Sequence, residues 1–330
     1  MRQQKPSHSI RTLDMFSGVG GSSLGAAMAG AEPVAAIDMW PLARDVYKDN
    51  FSGVKFFRRK LEYLTPDEVL QKVGPIDLLL ASPECTNHTC AKGKRERSEA
   101  SRKTAFHVTR FAKALLPRWI VVENVVQMKS WKQYRKWLAI LQSLGYNVSE
   151  QTLNAAHFGV PQSRRRLFII CDREAIPPKV APPSSVGEQK ARDVLSSDGS
   201  YRFSTLCTQR RAKNTVARAE RAIAKLGEDE PFLLVYYGSD AAGGWQSLNV
   251  PLRTVTTLDR FGYVRRNGHG HEMRMLQVPE LKKAMGFPES HKLERGTRRD
   301  RVRLLGNAVC PPVMKAIISQ LTCPPQEPEA

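Results

Sequence analysis

The sequence predicts an α/β fold in which a doubly wound parallel sheet is accompanied by a second, smaller and irregular domain. Two apolar runs, at 76–81 and 119–122, have the length of buried parallel strands and end on residues that interrupt strands. Up to about residue 171, runs of this kind alternate with helical segments, which is typical of a doubly wound sheet. Because ligands of such sheets bind beyond the carboxyl ends of the strands, we expect the functional residues in the turns that follow these runs.

The predicted elements follow in a regular order. Strands are predicted at 11–16, 32–38, 76–81, 119–122, 147–153 and 167–171, and helices at 22–29, 42–51, 106–117, 132–144 and 311–321. Residues 173–200 are rich in proline, serine and charge, which indicates a boundary, and β-like runs follow at 232–237 and 252–257. We expect one domain at 10–172, completed by 302–323, a second at 173–301, and disordered tails at 1–9 and 324–330.

Charge and cysteine content narrow the class of protein. The chain of 330 residues carries 51 Lys and Arg against 32 Asp and Glu, a net charge of +19, which predicts a polyanionic partner. Basic runs at 92–103 and 202–225 favour nucleic acid over an ordinary solvated face. The six cysteines are scattered, the first nine residues lack the apolar core of a signal peptide, and no apolar run approaches the length of a membrane span. We expect a reduced, cytosolic protein.

A glycine-rich turn follows the first predicted strand at residues 16–23. Glycines in this position let the backbone turn tightly and let a ligand approach closely, although a plain strand–helix turn has the same pattern. Asp38 ends the next strand, where an acidic residue can bind ribose hydroxyls. The two features together favour a cofactor that contains a nucleoside. A nicotinamide dehydrogenase fits poorly, because the dinucleotide fingerprint requires Gly or Ala where this chain has Ser23.

The end of the run at 76–81 carries a thiol in the sequence Ser82-Pro83-Glu84-Cys85. Cys85 is either an ordinary buried cysteine, a metal ligand, or a nucleophile whose pKa is lowered by the neighbouring basic loop. A zinc site with His88 and Cys90 is disfavoured, because zinc deaminases use a Cys-x-x-Cys pair and a His-x-Glu motif. The nucleophile is the interpretation that agrees best with a strand end.

A carboxylate and two arginines complete the candidate catalytic set. Glu123 follows the run at 119–122 and is either a buried ion-pair partner or a proton donor in a dry site. Arg164 and Arg166 precede the strand at 167–171 on the same side of the chain, so one of them is expected to face the crevice.

These motifs resemble, in order and over nearly the whole chain, those of the cytosine-5 DNA methyltransferases. The resembling segments are 14–21, 82–85, 123–125, 158–166, 253–257, 286–288 and 306–309. The resemblance implies a Rossmann-like class I methyltransferase fold with a target-recognition domain at 173–301 and a mobile loop at 86–103. It also implies methyl transfer from S-adenosyl-L-methionine to carbon 5 of a flipped-out cytosine through a covalent Cys85 adduct.

The resemblance assigns roles residue by residue and implies no metal. The implied catalytic residues are Cys85, Glu123, Arg164 and Arg166. The implied cofactor-binding residues are Asp14, Phe16, Ser17, Gly18, Gly20, Gly21, Asp38, Met39, Glu62, Pro83, Asn307 and Val309.

Two departures from the family pattern bear on the chemistry. A proline normally precedes the nucleophile, whereas this chain has Glu84, whose charge should raise the pKa of the Cys85 thiol. An aromatic residue normally follows the ribose-binding acid, whereas this chain has Met39. Glu84 leaves open that the chain binds DNA without methylating it, or that it transfers a different group.

The resemblance also implies partners and a location. It implies double-stranded DNA as the substrate, a monomer, no membrane, a cytoplasmic location in a prokaryote or phage-infected cell, and a restriction endonuclease acting on the same site. Some members of the family act on transfer RNA, so an RNA substrate stays open. The roughly 80 residues between 171 and 250 leave room for a DNA-reading domain, which favours DNA.

Overall fold

A computed structural model describes residues 9–84, 103–237 and 243–323. Its main sheet has seven strands in the order β3-β2-β1-β4-β5-β7-β6. The strands are β1 (Arg11–Met15), β2 (Glu32–Ile37), β3 (Lys55–Phe57), β4 (Leu78–Ala81), β5 (Trp119–Asn124), β6 (Asn147–Asn154) and β7 (Arg165–Asp172). β1 to β5 are parallel, whereas β7 runs antiparallel to both of its neighbours.

The predicted α/β fold is confirmed, with one difference at the last strand. β6 and β7 are joined by residues 155–164, whose only helical element is a single 3-10 turn at Ala155–Phe158. A parallel pair needs a crossover connection of a dozen or more residues, usually a helix, so this shorter connection returns the chain as an antiparallel strand. The antiparallel β7 is therefore a local departure from the parallel sheet that the sequence predicted.

Helices cover both faces of the main sheet. In chain order the helices are α1 (Gly21–Met28), α2 (Pro41–Asn50), α3 (Pro66–Val73), α4 (Ala105–Leu115), α5 (Tyr134–Ser143), α6 (Lys213–Leu226), α7 (Val278–Ala284), α8 (Arg298–Asn307) and α9 (Pro311–Thr322). Leu78 and Leu80 of β4 belong to a buried cluster with α1, α2 and α9, whereas Leu79 and Ala81 belong to one with α3, α4 and α5. This alternation buries both faces of the strand, as in doubly wound sheets. Within the described ranges, no helix is long and apolar enough to cross a membrane.

A second sheet lies within residues 204–275 and is more regular than the sequence predicted. Its order is β10-β9-β11-β12-β8, with β8 (Ser204–Thr205), β9 (Phe232–Val235), β10 (Trp245–Ser247), β11 (Phe261–Asn267) and β12 (Gly270–Met275), all paired antiparallel. Ala219 and Ala222 of α6 pack on Phe232 and Leu234. The alternate residues Leu233 and Val235 join the cluster that contains Leu80 of the main sheet. The second sheet thus packs into the main core on one face.

The β-like run predicted at 252–257 does not form a strand. Leu252 makes one isolated bridge with Gln162, and the following residues take no regular structure. Their backbone groups bond to side chains instead: those of Val255 to Gln162 and Arg164, and the Arg253 amide to Gln246. The run predicted at 232–237 corresponds to β9, and the division of the chain at residue 173 stays a prediction.

Candidate active site

Four strand ends that carry candidate residues lie side by side at one edge of the main sheet. Met15, the last residue of β1, pairs with Ile37 on one side and with Ala81 on the other, and Ala81 pairs with Val122 of β5. Because these strands are parallel, their carboxyl ends open onto the same edge. The structure therefore brings together the glycine-rich turn, the acidic residue after β2, the end of β4 and the buried glutamate of β5.

The turn after β1 has a backbone conformation that favours glycine. The angle φ is 61° at Phe16, 52° at Gly18 and 84° at Gly20. A hydrogen bond from the Gly20 amide to the Ser17 carbonyl closes the turn at 2.8 Å. Asp38 accepts a hydrogen bond from the Gly18 amide at 2.9 Å. Burial raises the pKa of Asp38, and the backbone amides that it accepts from oppose this shift. The turn and the acid after β2 therefore form one unit.

Asp14 supports the turn from within the sheet. One of its oxygens accepts hydrogen bonds from the Ser23 amide (3.2 Å) and hydroxyl (2.7 Å), and the Tyr47 hydroxyl lies 2.7 Å from the same Ser23 oxygen. Burial raises the pKa of Asp14 to about 7. The other oxygen of Asp14 and the hydroxyl of Ser17 are buried and have no hydrogen-bond partner among the described residues. Such atoms are candidates for contact with a ligand.

Gly21 places the chain segment after α8 against this turn. A Cβ at Gly21 would lie 2.2 Å from the Val309 carbonyl oxygen, and a Cβ at Gly25 would lie 2.6 Å from Cβ of Met314. The two glycines are one helical turn apart, so α1 presents a flat stripe on which α9 and its preceding segment rest. Gly21 therefore has a packing role, whatever its contact with a ligand.

Two other candidate cofactor residues present exposed side chains. Met39 directly follows Asp38 and is 55% exposed. Asn307 is the exposed last residue of α8, two positions before Val309. The neighbouring Trp40 lies under the guanidinium of Arg303, at 4.9 Å from the ring centroid. The surface beside the glycine-rich turn thus combines an apolar side chain with an amide.

Glu62 lies in a separate 3-10 turn at Leu61–Tyr63, and its side chain is exposed. Arg110 of α4 holds this turn by donating to the carbonyls of Leu61 and Leu64. Burial lowers the pKa of His107 on α4, and the Glu62 carboxylate opposes this shift. Glu62 therefore lies beside α4, and its predicted contact with a cofactor stays a prediction.

The end of β4 is fixed by a residue that sequence reasoning did not single out. The side-chain amide of Asn124 donates to the Pro83 carbonyl at 3.0 Å, and its oxygen accepts from the Val125 amide at 2.8 Å. Asn124 is 1% exposed, so both bonds are shielded from water. The signal was present in the motif Glu123-Asn124-Val125. The predicted nucleophile Cys85 and residues 86–102 lie outside the described residues, and Pro83 and Glu84 lead directly to them.

Glu123 is a buried carboxyl paired with one arginine. It is 7% exposed, and the Nε atom of Arg166 lies 3.1 Å from its Oε1 atom. Burial raises the pKa of Glu123, and the charges of Arg166 and Arg164 oppose this rise. A small cavity with room for about one water molecule is lined by both arginines, Glu123, Phe168 and Cys310. Glu123 can therefore carry a proton at a pH where an exposed glutamate is ionised.

The Arg164 guanidinium donates hydrogen bonds to backbone carbonyls. It is 3% exposed and donates to the carbonyls of Val255 (2.9 Å), Gly306 (2.9 Å) and Ala308 (3.1 Å). Gln162 acts in the same way, since its oxygen accepts from the Val255 amide at 2.8 Å and its nitrogen donates to the Ala284 carbonyl at 2.9 Å. This arrangement favours Arg166 over Arg164 for contact with a substrate.

With this geometry established, comparison with known proteins identifies the family. The model of the C-5 cytosine-specific DNA methylase family matches residues 10–323. The chain belongs to this family. It is 27% identical over 329 residues to the Type II methyltransferase M.HindV of Haemophilus influenzae, covering 97% of this chain and 98% of that protein. It is 26% identical over 300 residues to M.HgiDI of Herpetosiphon aurantiacus, covering 91% and 90%.

Solved structures support the same fold. The crystal structure of a Spodoptera frugiperda DNMT2 mutant matches with a TM-score of 0.67 at 19% identity, over 95% of this chain and 99% of that one. Among the described residues, no cluster of three or more His, Cys, Asp or Glu side chains could hold a metal ion.

Proposed function

We propose that this protein transfers a methyl group from S-adenosyl-L-methionine to carbon 5 of cytosine in double-stranded DNA, with Cys85 as a covalent nucleophile. The observation that carries the proposal is Glu123, a buried carboxyl with a raised pKa at the end of β5, next to the β4 end that leads to Cys85. A pyrimidine held between these strand ends would meet a thiolate and a proton donor at once.

Cys85 and Glu123 would have different roles in activating the base, one as nucleophile and the other as proton donor. Carbon 5 of cytosine is a poor nucleophile until the Cys85 thiolate bonds to carbon 6 and converts the ring into an enamine. Glu123 would share its proton with ring nitrogen 3 during this addition, so that negative charge does not build up on the ring. After carbon 5 gains a methyl group, loss of its proton and breaking of the sulfur–carbon bond restore the aromatic ring and the thiolate.

Arg166 is the residue that we propose to hold the base carbonyl. Its Nε atom is paired with Glu123, and its Nη1 atom donates to the Arg165 carbonyl at 2.9 Å. A guanidinium has five N–H donors, so others remain for a carbonyl oxygen. Asn124 supports the same site by fixing the Pro83 carbonyl two residues before the thiol.

The cofactor cleft fits S-adenosyl-L-methionine, which supplies an electrophilic methyl group on a sulfonium. Asp38 would bind the ribose hydroxyls, and the buried, unpartnered oxygens of Asp14 and Ser17 are acceptors for the amino and hydroxyl groups of the ligand. A Cβ at Gly18 would meet no atom within 4 Å, so the turn is open on the side where a ligand would approach. Met39, with its exposed thioether, would pack on the adenine.

The substrate base must leave the duplex to reach these strand ends, because its reacting edge is stacked and paired in DNA. We propose that residues 173–301, with the second sheet, read the DNA sequence. The relatives named above are Type II methyltransferases, which favours a restriction endonuclease of the same specificity as a partner.

The decisive experiment identifies the product. Purified protein is incubated with duplex DNA and methyl-labelled S-adenosyl-L-methionine, and the digested nucleosides are analysed by mass spectrometry. The proposal expects labelled 5-methylcytosine, and none with the Cys85→Ser variant. Labelled product in transfer RNA but not in DNA would move the substrate to RNA. A different modified base, or no modification with intact DNA binding, would show that Glu84 marks altered chemistry.

A further inference from the structure

A chain of three buried polar side chains lies beneath the glycine-rich turn. The Tyr47 hydroxyl lies 2.7 Å from the Ser23 hydroxyl, which in turn lies 2.7 Å from one carboxylate oxygen of Asp14. The three residues belong to α2, α1 and β1, and none of them is more than 1% exposed. The proposed function uses only Asp14 of the three, so the two hydroxyl groups behind it have no role in the mechanism so far.

The direction of the two hydrogen bonds follows from the number of donors. An ionised carboxylate can only accept, so the single O–H of Ser23 donates to Asp14. The Ser23 oxygen must then accept from its other neighbour, so the Tyr47 hydroxyl is the donor to Ser23. Burial raises the pKa of Tyr47 well above its usual value, which keeps the phenol protonated. The hydrogen bonds therefore run from Tyr47 through Ser23 to Asp14.

These donors occupy one oxygen of Asp14 and leave the other for a ligand. The Oδ2 atom accepts from both the amide and the hydroxyl of Ser23, whereas Oδ1 is buried and has no partner in the described part of the chain. Two bonds to one oxygen restrict rotation of the carboxylate and thereby the direction in which Oδ1 points. An ammonium group is the partner that suits this atom best, because charge-assisted hydrogen bonds are stronger than neutral ones.

The ring of Tyr47 is fixed by packing. Its centroid lies 4.7 Å from that of Phe51 and 5.3 Å from that of Phe56. A Cβ at Gly20 would lie 3.1 Å from two carbons of the Tyr47 ring, so this ring forms the floor of the glycine-rich turn. The packing of α2 therefore determines where the chain of hydrogen bonds begins, without any contribution from a ligand.

Ser23 also influences the charge of Asp14. Burial raises the pKa of this carboxyl to about 7, the hydrogen bonds from Ser23 oppose the rise, and the charge of Asp38 adds to it. Without the Ser23 hydroxyl the pKa should be higher, so that more of Asp14 is protonated at neutral pH. A protonated carboxyl cannot form an ion pair with an ammonium group. Loss of the hydroxyl should therefore weaken this contact through charge as well as through orientation.

We propose that Ser23 and Tyr47 are positioning residues for the cofactor, which hold the Asp14 carboxylate so that its Oδ1 atom accepts from the ammonium group of S-adenosyl-L-methionine. The inference rests on the proposed function, because it assumes that the cleft beside the glycine-rich turn binds this cofactor. No contact between either hydroxyl group and the cofactor is required.

Two ligands that differ only in the ammonium group isolate the contact with Asp14. S-adenosylhomocysteine, the demethylated cofactor, carries this group, whereas its deamino analogue keeps the carboxylate and the adenosine and lacks the ammonium. Calorimetric titration at neutral pH, by displacement where binding is weak, gives both Kd values for the unmodified protein, Ser23→Ala, Tyr47→Phe and the double variant. The ratio of the two Kd values measures the contribution of the ammonium group, and thermal unfolding gives the Tm.

The variants should lose affinity for one ligand and not for the other. Ser23→Ala should raise the Kd for S-adenosylhomocysteine about 5- to 10-fold and change the Kd for the deamino analogue less than about 2-fold. Tyr47→Phe should raise the first Kd about 2- to 5-fold, with no further effect in the Ser23→Ala background, because it acts through Ser23. Equal losses for both ligands would indicate a merely structural role and exclude the inference, and additive effects in the double variant would exclude Tyr47 from it.

Tyr146→Phe is the matched control. The Tyr146 hydroxyl is also a buried ring donor, to the Pro117 carbonyl at 2.6 Å near the opposite end of β5. Its removal should lower the Tm and leave the ratio of Kd values unchanged, whereas a changed ratio would show that this ratio follows stability and would overturn the inference. If the unmodified protein binds neither ligand, the proposed function fails. If it binds S-adenosylhomocysteine and the Ser23 and Tyr47 variants keep its ratio, only this inference fails.

Discussion

Replacing Arg164 and Arg166 in turn tests whether the structure has separated a scaffold arginine from a substrate arginine. Arg164→Met leaves three buried carbonyls, those of Val255, Gly306 and Ala308, without their charged donor. Leaving one buried acceptor unpaired costs about 1–3 kcal/mol, so the three carbonyls together, with partial relaxation, should cost about 3–5 kcal/mol. For a chain of 330 residues the unfolding entropy is about 0.7 kcal/mol per degree, so the Tm should fall by roughly 4–7 °C.

Arg166→Met should behave differently. Arg166 donates to one backbone carbonyl in the described structure and pairs with Glu123, which can become neutral when the arginine is absent because burial already raises its pKa. We expect a Tm within about 3 °C of the unmodified protein, together with a loss of methyl transfer of about 100-fold or more at saturating DNA and cofactor.

The assay combines calorimetric unfolding with single-turnover methyl transfer at a temperature where both variants are folded. The reasoning is refuted if Arg164→Met unfolds within a degree of the unmodified protein while its transfer rate falls as far as that of Arg166→Met. That result would show that Arg164 contacts the substrate and that its three hydrogen bonds to carbonyls contribute little to the free energy of unfolding.

Three further predictions concern the proton donor, the thiol and the cofactor turn. Because the pKa of Glu123 is raised and the protonated form is the donor, the rate of methyl transfer should decline as pH rises through that pKa. Glu123→Gln should lower kcat about 100- to 10,000-fold and abolish this decline, whereas an unchanged pH–rate profile would exclude Glu123 as the proton donor. Glu84→Gln removes a negative charge beside Cys85 and should lower the pKa of that thiol, so the ascending limb of the pH–rate profile should move to lower pH. A shift to higher pH would contradict this argument. Gly21→Ala places a Cβ 2.2 Å from the Val309 carbonyl oxygen, so it should lower the free energy of unfolding by about 1–3 kcal/mol and weaken cofactor binding measured by calorimetry. An unchanged stability and an unchanged Kd would show that α1 and α9 can move apart at little cost.

Local sequence patterns were sufficient to locate the ends of the central strands, but not to predict the direction of β7 or the structure of residues 252–257. The apolar runs before Ser82 and Glu123 located β4 and β5, because a strand buried on both faces needs an uninterrupted apolar run. The reversal at β7 escaped the same reasoning, since a strand has the same local pattern in either direction. The run at 252–257 has β-like residues, but the backbone groups of Val255 bond to the side chains of Gln162 and Arg164 and not to a neighbouring strand. Long-range contacts, invisible in a local pattern, decided its structure.

The candidate site shows the same division. Glycine positions and the acid at 38 follow from local backbone requirements, and their meeting at Gly18 could be expected from parallel strands. The different uses of Arg164 and Arg166 could not be expected, because both lie at the start of β7 and the local sequence does not show that Val255, Gly306 and Ala308 offer their carbonyls to Arg164.

The central claim is that a cysteine thiol bonds to carbon 6 of a cytosine. Duplex DNA in which 5-fluorocytosine replaces cytosine blocks the final loss of the carbon-5 substituent, so the adduct should persist. With S-adenosyl-L-methionine present, the account predicts a protein–DNA complex that survives denaturation and whose cross-linked peptide contains Cys85, with none formed by Cys85→Ser. Methylation of ordinary DNA without any such complex, or a cross-link through another residue, would contradict it.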